Sequence, residues 1–333
     1  MIPAHLENAV YGLLAAPVLH LADRHGLIAH LIGAGPANSP EIAKVLGLDL
    51  DTVERLLLVL AAAGVLRRTD GDRFDVPAES RPYLDPDDPL YLGGFVSHMV
   101  ADVADRMTTL EAYLLKGKSA ADVGKPAPYE HFYRDERSTR EFMNAMWHLS
   151  YGVSSELARL AELGSVGLLV DVGGASGPFA VAALEQQPEL RAVVFDLPTA
   201  GPYVAEAGRS HGVADRLGFA AGDFFRDPLP DGDVIALGYV MSNWPDAECR
   251  ELLAKAYRAC APGGRVLIME RLFDDDWNGP ISTAVMNLEM HVETRGRHRT
   301  AAEYLDLLAA AGFTDGVVRH SGGDKHLVVG HRN

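Results

Sequence analysis

Three carboxylates stand at the ends of three successive apolar runs in the second half of the sequence. Asp171 closes the first run and is followed by a turn that contains Gly173, Gly174 and Gly177. Pro178 then opens an Ala-rich apolar stretch, and proline is well tolerated at the first position of a helix. The segment therefore predicts a strand, a tight turn and a helix, with a ligand-sized opening at the carboxyl end of the strand.

The spacing of the glycines argues against two familiar nucleotide-binding turns. A dinucleotide fingerprint counted from Gly173 needs glycines where the chain has Ala175 and Pro178. A phosphate-binding P-loop needs a Gly-Lys-Ser/Thr sequence, which does not follow here. The turn still lets the backbone approach a ligand closely, and Asp171 can hold an ammonium group. This combination suits the amino-acid end of S-adenosylmethionine (SAM), although an ordinary strand–helix turn would look similar.

The other two carboxylates extend the same pattern. Asp196, followed by Leu197, ends the next apolar run about 20 residues after the turn, where an acid accepts hydrogen bonds from a ribose diol. Asp223 follows Gly222 and precedes Phe224, and an acid beside an aromatic ring can bind and pack an adenine edge. Each acid alone would be an ordinary loop residue. The ordered set predicts methionine, ribose and adenine subsites for one SAM molecule.

Composition narrows the class of protein. The 333 residues allow two domains, and 48% hydrophobic with 23% charged residues is typical of a globular protein. The net charge of −16 argues against nucleic acid and anionic membranes as partners. We expect neither a signal peptide nor a membrane span. Cys249 and Cys260 are predicted to share one helix, about 16 Å apart, so they should not pair and a cytoplasmic location is expected.

The first half of the sequence is predicted to be mainly helical. Residues 4–33 predict two helices whose apolar surface exceeds what one small domain can bury, so a partner subunit is expected. Residues 39–63 predict two more helices, capped by Ser39 and Asp51, before a β-hairpin. This is a winged-helix pattern. The second helix offers only Arg55 as a base, so packing or dimerisation is favoured over DNA binding.

The remainder of the first half and the whole second half also predict regular elements. One long helix is expected over residues 90–116, and two or three helices over residues 129–163. From residue 167 onward strands and helices alternate, which predicts a parallel α/β sheet that binds ligands at the carboxyl ends of its strands. The predicted strands are 167–172, 191–196, 217–221, 232–237 and 264–269, followed by two closing strands at 313–318 and 326–329.

Together these features resemble the class I SAM-dependent methyltransferases. More narrowly, the chain resembles the caffeic acid and hydroxyindole O-methyltransferase family and its bacterial relatives in aromatic natural-product pathways. The motifs that carry this resemblance lie at residues 171–177, 195–198, 222–225, 243–246, 262–265 and 296–300. The resemblance implies a Rossmann-like seven-stranded methyltransferase sheet in residues 166–333. It also implies a mainly helical winged-helix dimerisation domain in residues 1–165, which would supply the pocket roof and intertwine in a homodimer.

The resemblance also assigns roles to individual residues. Met146 and Ser150 hold the positions of a roof helix that contacts cofactor and substrate. The full set of residues predicted to bind SAM is Met146, Ser150, Asp171, Gly173, Gly174, Gly177, Asp196, Leu197, Gly222, Asp223, Phe224 and Trp244. The product would be S-adenosylhomocysteine (SAH). Apolar and aromatic residues in the predicted roof indicate a flat aromatic acceptor; these are Phe95, His98, Met99, Phe132, Trp147 and Met286.

The catalytic positions depart from the family pattern. The family places a His general base directly before Asp/Asn-Trp, but Ser242 stands there, before Asn243. A serine hydroxyl is not basic near neutral pH and cannot replace imidazole. The Glu usually found before Arg299 is His298, whereas the family acid at the end of the fifth strand is present as Glu270. We therefore expect Asn243 to position the acceptor, and the alternative base is His298 oriented by Glu270.

Methyl transfer does not always require a base. The protein mainly has to hold the nucleophile about 3 Å from the methyl group and exclude water. An acidified phenol or an aromatic nitrogen needs no base, whereas a phenol with a pKa near 10 benefits from one. We predict O-methylation of a hydroxylated aromatic small molecule in bacterial secondary metabolism. The alternatives are N- or C-methylation, a hydroxylase or decarboxylase that uses SAM for electrostatics, and a ligand-sensing regulator.

A metal site at Glu289, His291 and Glu293 is not expected, because residues two apart diverge on a helix.

Overall fold

The computed structural model describes residues 2–69, 72–101, 103–122 and 133–333. The chain forms two compact units, Met1–Asp105 and Arg106–Asn333. This structural division lies earlier than the functional boundary predicted between residues 165 and 166. The assignment of dimer contacts and roof to residues 1–165 stays a prediction, and the predicted roof residue Phe132 lies outside the described residues. No helix in the described ranges is long and apolar enough to cross a membrane.

The first unit is mainly helical. Its elements are α1 (Ala4–Tyr11), α2 (Ala15–Arg24), α3 (Leu27–Ala34), α4 (Ser39–Leu46), α5 (Leu50–Ala62), β1 (Arg67–Thr69), β2 (Arg73–Asp75), α6 (Arg81–Leu84) and α7 (Gly93–Val100). The prediction of two helices over residues 4–33 was wrong, because a 3₁₀ turn at Gly12–Leu14 and the left-handed Gly26 divide this segment into three. The predicted winged-helix pattern is confirmed in that α4 and α5 precede the antiparallel β1–β2 pair.

Both predicted N-caps of the winged-helix segment were wrong by one or two residues. Helix α4 is capped by Asn38, whose side chain accepts a hydrogen bond from the Glu41 N–H at 2.9 Å. Helix α5 is capped by Asp49, which accepts from the Thr52 N–H, also at 2.9 Å. Several consecutive residues here are good caps, and sequence preference alone does not choose among them. Arg55 forms an ion pair with Asp51 of its own helix at 3.0 Å.

Two helix predictions in the middle of the chain were also wrong. The expected helix over residues 90–116 is broken into α7 and α8 (Val103–Lys116), since Ala101 has an extended backbone. The short helix α9 (Lys118–Ala121) follows. Residues 129–163 were expected to hold two or three helices, but a single 25-residue helix, α10 (Glu136–Leu160), dominates this region. The Asp135 side chain caps α10 by accepting from the Ser138 N–H at 2.8 Å.

The second unit is built on the predicted α/β sheet. Its remaining elements are β3 (Leu168–Val172), α11 (Pro178–Gln186), β4 (Arg191–Asp196), α12 (Gly201–Ser210), β5 (Leu217–Ala221), β6 (Gly232–Gly238), α13 (Asp246–Ala259), β7 (Cys260–Glu270), β8 (Leu272–Phe273), α14 (Ile281–Glu293), β9 (Arg299–Thr300), α15 (Ala301–Ala310), β10 (Thr314–Arg319) and β11 (His326–His331). The seven main strands lie in the order β10-β11-β7-β6-β3-β4-β5. Strands β3 to β7 pair in parallel, and β10 and β11 pair antiparallel. All seven predicted strands are confirmed.

Helices cover both faces of this sheet. Helices α10, α11 and α12 pack on one face, and α13 and α15 pack on the other. Cys260 is the first residue of β7 and lies outside α13, so the prediction that it shares a helix with Cys249 was wrong. Both cysteines are buried and free.

A buried arginine fixes the loop that joins β6 to α13. Arg299 is fully buried, and its guanidinium donates to the Met241 and Trp244 carbonyl oxygens, each at 2.9 Å. It also donates to Asp246 Oδ1 at 2.7 Å. Gly296 lies directly against the same loop, where a Cβ atom would come within 2.2 Å of the Ser242 carbonyl oxygen. Residues 241–246 are therefore held in place by the segment that contains Gly296 and Arg299 at the start of β9.

Replacing Arg299 by Ala should lower the free energy of unfolding by about 3 kcal/mol, because buried carbonyl groups lose their donor. Urea unfolding followed by circular dichroism measures this change. The matched control is Arg250→Ala, since Arg250 is exposed on helix α13 and should change stability by about 0.5 kcal/mol or less. Equal effects of the two substitutions would contradict a special role for Arg299.

Candidate functional site

The glycine-rich turn after β3 brings the backbone close to its neighbours. Gly173 has a left-handed backbone (φ 68°), and a Cβ atom there would lie 2.7 Å from the Val240 side chain. At Gly174 a Cβ atom would lie 2.7 Å from the Asp171 carboxyl group. Gly177 is also left-handed (φ 84°) and caps the start of α11. Ala175 adopts φ 52°, so the residue in place of the usual third glycine also has a left-handed conformation.

Asp171 is a buried carboxyl group beside this turn. Its side chain is 2% exposed, and Oδ2 has no hydrogen-bond partner within the described part of the chain. Burial raises the pKa of Asp171 to about 7, and the nearby Asp196 carboxyl adds to this effect. A buried carboxyl with an unused oxygen favours a cationic group as its ligand, because a positive charge offsets the cost of ionisation. The ammonium group of SAM meets this requirement.

Asp196 connects the end of β4 to the same turn. Its Oδ2 accepts a hydrogen bond from the Ala175 N–H at 2.8 Å, and its Oδ1 accepts from the Leu197 N–H at 2.6 Å. Burial raises the pKa of this carboxyl as well. Each carboxylate oxygen has a second lone pair, so Asp196 can still accept hydrogen bonds from ligand hydroxyls.

The predicted adenine residues lie in a short loop after β5. Asp223 Oδ1 accepts from the Phe225 N–H at 2.8 Å, and the Asp223 carboxyl lies 3.4 Å from the Arg226 guanidinium. The Trp244 ring packs edge-on against Phe225, with centroids 4.7 Å apart, and against Phe224 at 6.1 Å. Gly222 allows this loop to lie on β4, since a Cβ atom would come within 2.4 Å of the Phe195 ring. The aromatic residues are therefore assembled, whereas the Asp223 carboxyl is partly engaged within its own turn.

One residue that holds this loop was missed by sequence reasoning. Lys255 on α13 donates to the carbonyl oxygens of Phe224, Phe225 and Asp227 at 2.7 to 2.9 Å. A lone lysine on an amphipathic helix carries no sequence signal for this role. Only the packing of α13 beside the β5 loop reveals it.

The four predicted catalytic residues fall into a buried cluster and a loop position. The Ser242 N–H donates to Glu270 Oε1 at 3.0 Å, and Glu270 Oε2 lies 3.9 Å from His298 Nδ1. Ser242, Glu270 and His298 are 2%, 0% and 3% exposed. Asn243 is half-buried, and its amide donates to the Tyr239 carbonyl oxygen at 2.5 Å. Its side-chain oxygen can therefore face a ligand as a hydrogen-bond acceptor.

Burial shifts the pKa values of the acid and the imidazole in opposite directions. It raises the pKa of Glu270 to about 7. It lowers the pKa of His298 to about 4, with a further contribution from the positive charge of Arg271. The separation of 3.9 Å between His298 Nδ1 and Glu270 Oε2 exceeds hydrogen-bond distance. At neutral pH the imidazole is uncharged and the carboxyl is partly protonated.

The predicted roof residues divide between different surroundings. Met146 and Ser150 lie one turn apart on α10, and Ser150 is buried. Trp147 packs with the sheet core instead, stacked on Tyr151 with centroids 4.7 Å apart and 5.1 Å from His211. Its predicted place in the roof was wrong, because the hydrophobic stripe of α10 faces α11 and α12. The other described roof candidates are Phe95, His98 and Met99 on α7 and Met286 on α14.

The carboxylates on α14 pair with an arginine. Arg106 lies 3.4 Å from Glu289 and 3.6 Å from Glu293. The His291 ring packs edge-on against Tyr113, with centroids 5.3 Å apart. These contacts assign Glu289 and Glu293 to an ion-pair cluster.

Comparison with known proteins identifies a family that matches most of this chain. The O-methyltransferase domain family matches residues 108–314. The chain is similar to 3-hydroxy-5-methyl-1-naphthoate 3-O-methyltransferase of Streptomyces sahachiroi, with 34% identity over 314 residues, covering 94% of this chain and 90% of the relative. It is also similar to the tetracenomycin polyketide synthesis 8-O-methyl transferase of Streptomyces glaucescens, with 32% identity over 307 residues, covering 91% and 89%.

A solved structure shows the same architecture. The structure of human N-acetylserotonin methyltransferase in complex with SAM superposes with a TM-score of 0.86 and 27% identity, covering 100% of this chain and 99% of that chain. That structure contains SAM. The chain therefore belongs to the O-methyltransferase family of the hydroxyindole and caffeic acid type, in its bacterial natural-product branch, and is a SAM-dependent methyltransferase.

Proposed function

We propose that this enzyme transfers the methyl group of SAM to a hydroxyl oxygen of an aromatic small molecule in bacterial secondary metabolism. The observation that carries this proposal is the similarity to two Streptomyces enzymes, named for O-methylation of a naphthoate and of a polyketide, over nine-tenths of the chain. The half-buried Asn243 supports it, because one N–H of its amide donates to the Tyr239 carbonyl oxygen and the second N–H can donate to an acceptor oxygen.

The cofactor residues act by binding and orientation. SAM, when bound, supplies both the methyl group and the leaving group. We assign the ammonium group to Asp171, the ribose hydroxyls to Asp196 beside Leu197, and the adenine to the Phe224 and Trp244 rings. Gly173 and Gly174 let the backbone approach the ligand. The remaining predicted contacts, Met146, Ser150, Gly177, Gly222 and Asp223, complete this proposed set.

Alignment of the acceptor accounts for the chemistry better than general-base catalysis does. The Ser242 N–H donates to the Glu270 carboxyl, and the serine hydroxyl is not basic enough to act as a base toward the acceptor. With the pKa of His298 lowered to about 4, proton transfer to it from a phenol with a pKa near 10 is uphill by about 8 kcal/mol. We infer that the acceptor reacts as a phenolate, whose oxygen accepts a hydrogen bond from the second N–H of the Asn243 amide. His298 with Glu270 as its orienting residue remains the alternative base.

Because Ser242 stands where the family has His, a second class of function is also considered. Ser242 is compatible with N- or C-methylation and with a SAM-dependent hydroxylase or decarboxylase. Methyl-labelled SAM and a panel of hydroxylated and N-heteroaromatic acceptors separate these functions. Label on an acceptor oxygen supports the proposal. Label on nitrogen or carbon, or a changed acceptor without label, contradicts it.

SAH binding should weaken as the pH falls below about 7. The Asp171 carboxyl is protonated below its raised pKa of about 7 and must ionise to hold an ammonium group. The affinity should therefore decrease toward tenfold per pH unit between pH 7 and pH 5. Calorimetric titration of SAH over this range measures it. Asp171→Asn should remove most of the pH dependence, whereas Glu270→Gln, at a carboxyl with a raised pKa outside the proposed cofactor residues, should keep it. A pH-independent affinity in the native enzyme would contradict the role of Asp171.

The rate should depend on the acidity of the acceptor. If only the phenolate reacts, kcat/KM should rise tenfold per pH unit up to the pKa of the phenol and then level off. His298→Ala should change kcat by less than about threefold, whereas loss of a general base costs about 10²- to 10⁴-fold. Ser242→His should raise turnover of weakly acidic phenols and leave acidic phenols unchanged. A large loss in His298→Ala that is seen with weakly acidic phenols and absent with acidic phenols would establish His298 as the base.

We propose a homodimer formed through the first helices. Large apolar side chains lie exposed on and directly after α1; they are Leu6, Val10, Tyr11, Leu13 and Leu14. An apolar surface of this kind in a helical segment favours burial against a second copy of the chain.

A cytoplasmic location also stays a prediction.

A double substitution Val10→Glu with Leu13→Glu should convert the dimer to a monomer, because it places charges in a desolvated interface. Analytical ultracentrifugation measures the mass. Val45→Glu serves as the control, since Val45 is 65% exposed on α4, away from the first helices. An unchanged dimer in the double variant, or a monomeric native enzyme, would refute the proposed interface.

A further inference from the structure

A lysine that the proposed mechanism does not use lies buried at the carboxyl edge of the sheet. Lys325 directly precedes β11 and is 2% exposed. Its Nζ donates to the Leu149 carbonyl oxygen of α10 and lies 4.1 Å from the centre of the Tyr239 ring. Strand β7 lies between β11 and β6, so the side chain crosses the end of β7 to reach Tyr239.

The amine of Lys325 has unused hydrogen-bonding capacity. A lysine ammonium carries three N–H donors, and the Leu149 carbonyl takes one of them. The Tyr239 hydroxyl beside it is buried and has no hydrogen-bond partner among the described residues. Tyr239 adopts a left-handed backbone (φ 58°), which sets the position of its ring. Burial lowers the pKa of Lys325 well below its ordinary value, which reflects the cost of a charge with no paired anion in the described part of the chain.

The neighbouring cations are already paired. Arg271 forms an ion pair with Asp324, and Arg299 bonds backbone carbonyls and Asp246. Lys325 therefore differs from these two in having a carbonyl oxygen and a ring face instead of a carboxylate. An anionic ligand group would supply the missing charge.

Sheet order brings the lysine near the cofactor turn. Tyr239 follows β6, and β6 pairs directly with β3, which ends at Asp171 and the glycine turn. Adjacent strands lie about 4.8 Å apart. A ligand whose ammonium group binds Asp171 can therefore direct a carboxylate toward Tyr239 and Lys325. The carboxylate of an aromatic acceptor could bind Tyr239 and Lys325 in the same way.

We propose that Lys325 and the Tyr239 hydroxyl form a carboxylate-binding site at the carboxyl edge of the sheet. The carboxylate belongs either to the methionine part of SAM or to the acceptor. The ammonium of Lys325 and the hydroxyl of Tyr239 both donate to it, and the Tyr239 ring face holds the ammonium in place. The site adds a binding contact to the proposed function. It rests on that function only in the case in which the carboxylate belongs to the acceptor.

Calorimetric titration of the full-length enzyme distinguishes the two sources. The probes are SAH and 5′-methylthioadenosine, which lacks the amino-acid end. If the carboxylate is that of the cofactor, Lys325→Met should weaken SAH binding about ten- to a hundredfold and change methylthioadenosine binding by less than about twofold. If it is that of the acceptor, SAH binding should be unchanged. Binding of 2-naphthoate to the SAH complex should then be lost, and binding of neutral 2-naphthol retained.

The controls separate ligand binding from folding. Tyr239→Phe keeps the ring and removes the hydroxyl, so it should weaken the same probe by a smaller factor. Arg332→Met removes a cation that also bonds backbone carbonyls, those of Tyr257 and Arg258, at the opposite end of β11, and it should leave SAH affinity unchanged. Thermal unfolding of each variant verifies that it folds.

Two results would overturn the carboxylate site. One is a folded Lys325→Met enzyme that binds SAH and 2-naphthoate as the native enzyme does. The other is equal loss of SAH and methylthioadenosine binding, which would mark Lys325 as a structural residue. If Lys325→Met fails to fold, unchanged binding of both carboxylate probes by Tyr239→Phe would refute the site. Because SAH binding needs no acceptor, failure of this site and failure of the proposed O-methylation remain distinguishable.

Discussion

The guanidinium of Arg299 organises the loop that we propose to position the acceptor. It reaches from β9 to the carbonyl groups of Met241 and Trp244 and to Asp246 at the start of α13. The residues between these anchors are Ser242 and Asn243. With both ends of the segment fixed, the Ser242 N–H donates to Glu270, the Asn243 amide donates to the backbone, and the Trp244 ring packs on the loop after β5. One buried cation thus fixes the residues that we propose for the acceptor together with those that we propose for the cofactor.

Several buried ionisable groups of the site have pKa values that are shifted in favour of the neutral form. Burial raises the pKa values of Asp171, Asp196 and Glu270, and it lowers those of His298 and Lys325. In the free protein these groups therefore tend toward their neutral forms, because an isolated charge is costly where water is excluded. A ligand that carries a positive charge at one end and a negative charge at the other can restore both signs. Ligand charge and protein charge would then stabilise each other.

The sequence predicted the parts of this structure that depend on local pattern. Short apolar runs that end in or directly before an acid or a glycine marked six of the seven strands. The spacing of Thr300 and Glu303 is typical of a capping box, and both capping hydrogen bonds form at the start of α15. Helix boundaries were less predictable, since Asn38, Ser39, Asp49 and Asp51 are all acceptable caps. The contacts of Lys325 had no local signal. That residue acquires its role only when β11 lies beside β7, a pairing that joins distant parts of the chain.

The protonation states of Glu270 and His298 support the proposal that the acceptor reacts as a phenolate. The two groups lie 3.9 Å apart and titrate as a pair, and burial favours the state in which the acid is protonated and the imidazole is neutral. Accepting a further proton from a neutral phenol would leave a net positive charge on this pair, next to Arg271 and remote from water. The low dielectric makes that state costly. An acceptor that has already lost its proton avoids this cost, so the loop needs to supply position and a dry surrounding rather than basicity.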